Sequence, residues 1–490
     1  WDADTVGRRR HRDGGDSPLG YNRGYVATPI VYALKAGESF TRWFDGTVAW
    51  RELGLAGPIW WGANLPGGPG VQRWWSHYMR DLPAYGADSP PLVFATDSQW
   101  NNRYSRHSHD QATHGNGVYL WRPNLARDDW RQGAVAIAGP VRSQAQSPAL
   151  TADAPASVTL AFFRPYTIAA LPVDGRDPAL VGATQGAVLL GNALGAVGLE
   201  VSVNGGATFV PAGALTGRDA AVDITDLVKG RNQYLLRLWL NKGTGLDSLA
   251  LRTVVTTCRA VYPKLRSGRT TVTYHADGLR AFDGSPDFTD RATAMRDLAK
   301  TDNMQWVGYT DGTARAWKME KGTGTCIYRI ASPAGQPLSA ISAAAAVIWS
   351  SPSTQGCWAD LAVGSGQDGP WRVIGRIDAD ADGQVNINDT TKNWVHGQAD
   401  LSAEPTPTAY IRVRSCNADR PGGLQYLHLY GVTRSANASP ITVTYSWLAD
   451  DQPRQHRETI EAGAIDHRYT IETGSNAKNH KVTFDVPATK

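Results

Sequence analysis

The sequence predicts an all-β, multi-domain protein built from β-sandwiches, and three features of its composition support that prediction. The chain of 490 residues contains 51 glycines and 28 prolines, the residue types that tight turns require. Charged residues make up 19%, below the roughly 25% of an average soluble protein. Tryptophan, with 18 residues, is twice as frequent as phenylalanine, with 9. Together these features are typical of short strands joined by tight turns.

Alternation of polar and apolar residues predicts strands along most of the chain. The predicted strands include Val158–Phe163, Leu199–Val203, Tyr234–Leu240, Thr270–Tyr274, Ala409–Val413, Ile441–Trp447 and Lys481–Val486. Helical periodicity is confined to Phe288–Lys300 and, more weakly, to Val71–Leu82.

Four landmarks recur in the same order and predict a duplicated domain. A strand with a Gly-rich turn, LEVSVNGGATFVPAG from Leu199, has a counterpart in ADLAVGSGQDGPWRVIG from Ala359. The later pairs are Val222–Leu240 with Ala399–Ser415, Ser248–Thr257 with Leu424–Thr433, and Thr270–Tyr274 with Ile441–Tyr445. The offset of roughly 160–180 residues suits a repeated sandwich.

The repeat divides the chain into five predicted segments. These are a Trp/His-rich β module at 1–140, a first jelly-roll sandwich at 141–262, a strand with a short helical connector at 263–322, a second jelly-roll sandwich at 323–434 and a C-terminal β segment at 435–490.

The Asn-Gly-Gly hairpin turn, followed by DITDLVKGR from Asp223 and an alternating strand, resembles the galactose-binding-like, discoidin-type jelly-roll domains. The resemblance covers the two repeats, about half the chain, and rests on turn motifs that occur in every β class. It implies tandem jelly rolls that bind carbohydrate. The stretch from Leu34 through HGNGVYLWRPNL looks like the β-rich part of large secreted bacterial proteins.

Charge and hydropathy narrow the range of partners. The formal net charge is +4, and the dense basic cluster Arg8–Arg12 has no accompanying aromatic platform, so nucleic-acid binding is not expected. No run of 18 apolar residues is present, so no membrane span is expected. The opening Trp1-Asp2, without a signal peptide, predicts a processed part of a longer secreted or cell-surface precursor.

The cysteines leave two interpretations open. Cys258, Cys326, Cys357 and Cys416 are widely spaced and contain no CxxC pair, which argues against a zinc site. One or two disulfides and buried free thiols are equally compatible with this spacing.

An Asp-rich loop after a predicted strand is a candidate Ca²⁺ site. Its predicted ligands are Asp378, Asp380, Asp382, Gln384 and Asp389, at positions 1, 3, 5, 7 and 12 of a twelve-residue loop with glycine at position 6. This spacing resembles an EF-hand or dockerin loop, although the flanking residues are not helical. The alternative is an acidic turn of a β-hairpin.

A histidine-rich stretch is the candidate catalytic region. Its residues are Tyr104, Arg106, His107, His109 and His114. On a strand His107 and His109 share one face, where they can serve as a base or hold a metal. With Arg106 neutralising a uronate carboxylate and Tyr104 as the acid, the set matches what a polysaccharide lyase requires. The alternative is a solvated polar loop.

Six tryptophans are candidates for glycan stacking or for a subunit interface, with burial in a core as the alternative. They are Trp60, Trp61, Trp74, Trp75, Trp100 and Trp121.

The sequence lacks a nucleophile elbow, a P-loop, a dinucleotide fingerprint and an HExxH motif. The leading hypothesis is a non-catalytic extracellular protein whose tandem sandwiches bind glycan or assemble with neighbouring subunits. One alternative is a polysaccharide lyase or glycoside hydrolase with its site in the N-terminal module. Another is a structural subunit of a surface fibre or layer.

Overall fold

A computed structural model describes residues 34–44, 52, 60–61, 113–114, 117–163, 167–170, 184–229, 233–256, 265–275, 279–286, 288, 291–308, 316–332, 335–349, 356–378, 394–418, 421–434, 439–464 and 466–490. The predicted helix at Val71–Leu82 lies outside these residues.

Strands dominate the described chain. The first fourteen are β1 (Glu38–Trp43), β2 (Trp60–Trp61), β3 (Thr113–His114), β4 (Gly117–Trp121), β5 (Ala134–Ala138), β6 (Val141–Ser143), β7 (Leu150–Ala152), β8 (Ala156–Phe163), β9 (Thr167–Ile168), β10 (Ala187–Ser202), β11 (Val210–Asp223), β12 (Gln233–Leu240), β13 (Gly245–Thr256) and β14 (Gly268–His275). The next eleven are β15 (Leu279–Asp283), β16 (Leu298–Asp302), β17 (Gln305–Trp306), β18 (Trp317–Met319), β19 (Gly322–Ala331), β20 (Leu338–Trp349), β21 (Trp358–Gly364), β22 (Trp371–Asp378), β23 (Trp394–Asp400), β24 (Thr408–Asn417) and β25 (Gly422–Arg434). The last four are β26 (Ile441–Ala449), β27 (Gln452–Ile460), β28 (Asp466–Gly474) and β29 (Lys478–Asp485).

Helices in the described residues are short. They are a 3₁₀ helix at Asp128–Gly133, α1 (Thr225–Val228) and α2 (Arg291–Arg296). None of these described helices is both long and apolar enough to cross a membrane.

The described residues form two compact units. The composite unit contains the described residues of 34–275 and 439–490, and the central unit contains those of Leu279–Arg434. Antiparallel pairing accounts for every strand ladder in the described part of both units, so the predicted all-β class is confirmed.

The composite unit is organised around the long strand β10. Residues 198–202 of β10 pair with β12, which pairs with β8 and then β5. Residues 187–194 pair with β13, and the sheet continues through β4, β1, β29, β26 and β27. Three segments that the sequence analysis predicts as separate, 1–140, 141–262 and 435–490, therefore contribute strands to one sheet.

Aromatic side chains pack together from strands on the two sides of β10, namely β4 on one side and β8 and β12 on the other. Trp121 on β4 and Phe162 on β8 make an edge-to-face contact with ring centroids 5.6 Å apart. Phe162 also stacks on Tyr234 of β12 at 5.1 Å. Such contacts contribute about 0.5–1.5 kcal/mol each beyond the area that they bury.

The central unit is a two-layer sandwich. One sheet has the order β16-β19-β24-β21-β22, and the other has the order β17-β18-β25-β20-β23, with β15 paired to β25. Alternate residues of both sheets meet in one apolar core, for example Ile411 and Val413 of β24 with Ala343 and Ala345 of β20. The opposite face of β24 is therefore turned towards solvent.

The three cysteines in the described residues are free thiols. Cys326 is fully buried, and burial raises the pKa of its thiol far above the ordinary range. Cys357 is also buried, and its thiol donates to Asn417 Oδ1 at 3.3 Å. For Cys326, Cys357 and Cys416, the free-thiol interpretation therefore holds.

The predicted strands all overlap observed strands, but the predicted helix is shorter than expected. Only Arg291–Arg296 is α-helical, and Leu298–Asp302 forms β16, which pairs with β19. Pairing with an open sheet edge here prevails over the local helical pattern.

The repeat landmarks show both likeness and difference. The hairpins β10–β11 and β21–β22 correspond, and each first strand pairs with the alternating strand downstream, β12 or β24. The fourth landmark does not correspond, because β14 and β26 both lie in the composite unit and pair differently.

Gly397 marks a close approach between the two sheets of the central unit. A Cβ at this position of β23 would lie 2.1 Å from the carbonyl oxygen of Ile374 and 3.0 Å from the nitrogen of Gly375 on β22. Gly397→Ala is expected to destabilise the central unit by about 1–3 kcal/mol, because the backbone of β22 must move. Denaturant unfolding measures this, with Gly366→Ala as the control, since its nearest atom would lie 3.3 Å away. Equal stability of the two variants would contradict the prediction.

Candidate functional site

The solvent-facing side of β12 carries an arginine close to a carboxylate on the next strand. β12 alternates buried and exposed positions, and Arg237 is on the exposed side. It is in register with Glu200 on β10, and Nη1 of Arg237 donates to Oε2 of Glu200 at 3.1 Å. The guanidinium carbon also lies 3.5 Å from the ring centroid of Phe209, in the β10–β11 turn. We call Glu200, Phe209, Arg237 and Trp239 the Trp239 cluster.

Trp239 is the exposed aromatic residue of this cluster. It is 42% exposed, and its indole Nε1 donates to Oε2 of Glu200 at 2.8 Å. The residue in register on β10 is Gly198, where an added Cβ would lie 3.4 Å from the Cβ of Trp239. The lack of a side chain at Gly198 therefore leaves the indole uncovered on that side, while Glu200 fixes its position.

A second cluster lies on the outer face of the central unit. Arg414 on β24 is in register with Asp360 on β21. Nε of Arg414 donates to Oδ1 of Asp360 at 3.1 Å, and Nη2 donates to Oδ2. The side chain of Asp360 is only 1% exposed, against 34% for Arg414. The pair is thus bidentate, with its carboxylate buried and its guanidinium reaching solvent.

Two further arginines surround the same carboxylate. Arg412 Nη2 lies 3.9 Å from Oδ1 of Asp360, and Arg376 Nη1 lies 3.9 Å from Oδ2. Arg376 is 47% exposed and Arg412 is 15% exposed. Positive charge therefore lies towards solvent and the negative charge lies beneath it.

This arrangement shifts the pKa values of two arginines in opposite directions. Burial, together with the positive charge of Arg414, lowers the pKa of Arg412, and Asp360 offsets part of that effect. The hydrogen bond to Asp360 raises the pKa of Arg414. Both side chains remain charged, because the guanidinium group is not deprotonated in proteins.

Two tryptophans hold the guanidinium groups in place. The guanidinium carbons of Arg376 and Arg414 lie 4.6 and 5.2 Å from the ring centroid of Trp358. The guanidinium carbon of Arg412 lies 4.9 Å from the ring centroid of Trp371. Cation–π contacts of this kind orient a planar guanidinium. We call Trp358, Asp360, Trp371, Arg376, Arg412 and Arg414 the arginine face.

The two clusters occupy equivalent register positions. In the composite unit Glu200 is opposite Arg237, and in the central unit Asp360 is opposite Arg414. Each carboxylate stands on the first strand of a repeat hairpin, and each arginine stands on the alternating strand that pairs with it.

In both sheets a tryptophan lies in the next outward-facing residue pair after the carboxylate–arginine pair. The strand that carries it differs between the two sheets. In the composite unit Trp239 of β12 faces Gly198 of β10. In the central unit Trp358 of β21 faces Cys416 of β24. The carboxylate, arginine and tryptophan are therefore common to the two sheets, while the strand that supplies the indole differs.

Trp121, a candidate for glycan stacking from sequence, belongs instead to the core. It is 0% exposed, and its indole Nε1 donates to the carbonyl oxygen of Ala36 at 3.1 Å. Lys35 Nζ and the ring of Phe162 cover it at 5.1 and 5.6 Å from its ring. It presents no ring to a ligand, because the side of β4 on which it stands packs against Phe162 of β8 and Lys35.

Most other predicted site residues fall outside the described part of the chain. These are Tyr104, Arg106, His107, His109, Trp74, Trp75 and Trp100. The short ladder of β2 and β3 pairs Trp60 with His114 and Trp61 with Thr113, so one candidate histidine is in register with a candidate tryptophan.

Of the predicted Ca²⁺ ligands, only Asp378 is described; Asp380, Asp382, Gln384 and Asp389 lie outside the described residues. Asp378 ends β22, and its Oδ2 accepts a hydrogen bond from Arg376 Nη2 at 3.2 Å. Across the residues that the structure describes, no three His, Cys, Asp or Glu side chains are placed to hold a metal ion.

Sequence reasoning missed both clusters, although a signal for them was present. The strand TAYIRVRSCN places polar or aromatic residues at every second position, which marks a solvent-facing stripe. The strand QYLLRLWL does the same at Gln233, Arg237 and Trp239, with Leu235 as an interruption. The carboxylate partners could not be identified this way, because strand register across a sheet is set by tertiary pairing.

Comparisons with known proteins give no family assignment. No family model matches the chain, and no curated protein matches it. Among solved structures, the chain is similar to a xylan-binding module, CBM15, at 8% identity and a TM-score of 0.20, over 34% of this chain and 100% of that one.

Two further similarities are equally weak. The tandem CBM22-1–CBM22-2 domain of Paenibacillus barcinonensis Xyn10C matches at 10% identity and a TM-score of 0.19, over 61% of this chain and 92% of that one. The ANX2 ectodomain of Arabidopsis thaliana matches at 7% identity and a TM-score of 0.18, over 61% and 88%. TM-scores this low identify neither a family nor a ligand.

Proposed function

We propose that this chain is a non-catalytic extracellular carbohydrate-binding protein, and that the Trp239 cluster stacks against a sugar ring. The observation that supports the proposal most is the exposed indole of Trp239, fixed through its Nε1–H by Glu200. The axial C–H groups of a pyranose pack on an aromatic face, and an indole that is already held in place loses little entropy on binding.

Polar groups beside the indole match the hydroxyl groups of a sugar. Both hydrogen bonds of Glu200 within the described residues go to Oε2, so Oε1 is available as an acceptor. The side chains of Glu200 and Arg237 are each 27% exposed. An acceptor and a donor that both reach solvent beside an aromatic ring can orient a ring with hydroxyl groups.

The charges in this cluster favour a neutral sugar. Arg237 and Glu200 form one ion pair, and Trp239 and Phe209 are uncharged. A ligand bearing a net charge would disturb that pair, whereas a neutral pyranose leaves it intact.

Trp239→Ala is expected to weaken binding of a neutral polysaccharide by roughly 30-fold or more, the cost of about 2 kcal/mol for losing an aromatic hot spot. Isothermal titration of the full chain with soluble xylan, β-glucan and galactomannan measures the loss. Leu194→Ala is the control, because Leu194 is 52% exposed on β10 and outside the cluster. Unchanged affinity in Trp239→Ala would contradict the proposal.

The same polysaccharides test whether binding is accompanied by catalysis. Binding without release of reducing ends or unsaturated products is expected for a non-catalytic protein. Formation of either product would instead favour a hydrolase or a lyase.

A further inference from the structure

The arginine face separates its charges by depth. Asp360 is buried beneath Arg376, Arg412 and Arg414. Within the described residues, the other carboxylate in contact with the group is Asp378, which pairs with Arg376 at 3.2 Å. Among the described residues, three guanidinium groups thus meet two carboxylates, and the surplus positive charge lies on the solvent side.

Donor capacity remains on these guanidinium groups. Arg414 uses Nε and one Nη for Asp360. Arg376 donates to Asp378 through Nη2, and its side chain is 47% exposed, so further N–H groups of its guanidinium reach solvent. Each guanidinium carries five N–H donors, and a carboxylate or sulfate group accepts two of them side by side.

We infer that the arginine face is a second carbohydrate-binding site, which takes the anionic groups of an acidic polysaccharide. The ligand class is a chain of sugars that bear a carboxylate or a sulfate ester. This inference deepens the proposed function, because it names a class of glycan and places it on a sheet face other than the one with Trp239.

The arginine face is preorganised for an anionic ligand. Trp358 and Trp371 lie against the guanidinium groups, so these are oriented before a ligand arrives. Preorganised donors lose little entropy on binding. The contrast with the neutral Trp239 cluster, at the equivalent register position, gives the chain two sites with different preferences.

The test compares two forms of one polymer on the full chain. Polygalacturonate carries a carboxylate on every sugar, and its methyl ester has the same backbone without the charge. We expect polygalacturonate to bind at least about tenfold more tightly, through charge-assisted hydrogen bonds, with a difference that shrinks as salt rises. Carrageenan, a sulfate ester, is a parallel arm that separates carboxylate from sulfate preference.

The double variant Arg376→Gln/Arg412→Gln is expected to abolish the preference for the charged polymer. Arg372→Gln is the matched control, because Arg372 lies on the same strand but donates to the carbonyl oxygen of Asp400 at 2.9 Å. Thermal unfolding verifies that all variants are folded. Equal binding of charged and esterified polymer by the native chain, or a preference that survives in the double variant, would overturn the inference.

Two more outcomes separate this inference from the proposed function. Loss of neutral-polymer binding in Trp239→Ala, with the charged-polymer preference retained, supports both. No effect of Trp239→Ala on any polymer, with the arginine variants still impaired on polygalacturonate, removes the role of Trp239 but leaves the arginine face standing. Competition by single-stranded DNA as strong as by polygalacturonate at equal charge concentration would reject a sugar-specific site.

Discussion

Arg414→Ala is expected to lower the free energy of unfolding of the central unit by about 3–5 kcal/mol. The reason is the carboxylate that remains: Asp360 is 1% exposed and would lose its bidentate partner. Arg412 and Arg376 are each 3.9 Å from that carboxylate, so they compensate in part and the loss should fall near the lower end. Denaturant unfolding of the full chain, followed by a signal from the central unit, measures it.

A double-mutant cycle tests the physical reason. Asp360→Ala/Arg414→Ala should be more stable than Arg414→Ala alone, because it removes the buried charge together with its partner. The control is Arg329→Ala, whose guanidinium is 49% exposed and 3.4 Å from Asp297, so it should cost less than about 1 kcal/mol. A double variant less stable than Arg414→Ala would show that the pair contributes through packing rather than charge.

Trp121→Ala is expected to destabilise the composite unit by about 3–5 kcal/mol, since it empties a large volume in the core. The variant loses the contact with Phe162 and the hydrogen bond to Ala36 together. It should also leave the carbonyl oxygen of Ala36 without the donor that Trp121 supplies, which adds to the cost. The two units can unfold in separate transitions, so the composite-unit transition is the one to follow.

Trp239→Ala is the matched comparison for Trp121→Ala. Trp239 is 42% exposed and donates one hydrogen bond, so its removal should cost about 1 kcal/mol, well below the cost for Trp121, while weakening sugar binding. The stability and binding measurements should therefore distinguish Trp121 as a core residue from Trp239 as a binding residue. Reduced polysaccharide affinity in Trp121→Ala, without loss of stability, would instead restore the stacking role that the sequence predicts for Trp121.

The local pattern of the sequence predicts much of the fold. Period-two alternation identifies strands such as β8, β12 and β24, because successive side chains of a strand point to opposite faces. The glycine-rich turn motifs also predict the repeat hairpins β10–β11 and β21–β22, because such turns need residues that tolerate positive φ. These features depend on neighbouring residues alone.

Which face of a strand meets solvent depends on neighbours that are distant in sequence. Trp121 ends β4 and Trp239 nearly ends β12, yet the first is fully buried and the second is exposed. Trp121 is covered because its side of β4 packs against Phe162 of β8 and Lys35. Its sequence neighbourhood holds no sign of those partners.

The candidate sites depend on register in the same way. Glu200 meets Arg237, and Asp360 meets Arg414, only because β10 pairs with β12 and β21 pairs with β24 in one particular alignment. A slip by one residue would turn each arginine towards the core. The pairing of β1 with β29 in the composite unit could not be predicted from local sequence either. It aligns Thr41 with Thr483, which are far apart along the chain.

The sequence alone thus determined the β class and most strand positions, because both follow from the spacing of residue types along a strand. The tertiary structure alone decided which strands are neighbours, which tryptophan is buried and which carboxylate meets which arginine. Those outcomes are set by long-range strand pairing, whose partners and register are not encoded in any local stretch of residues.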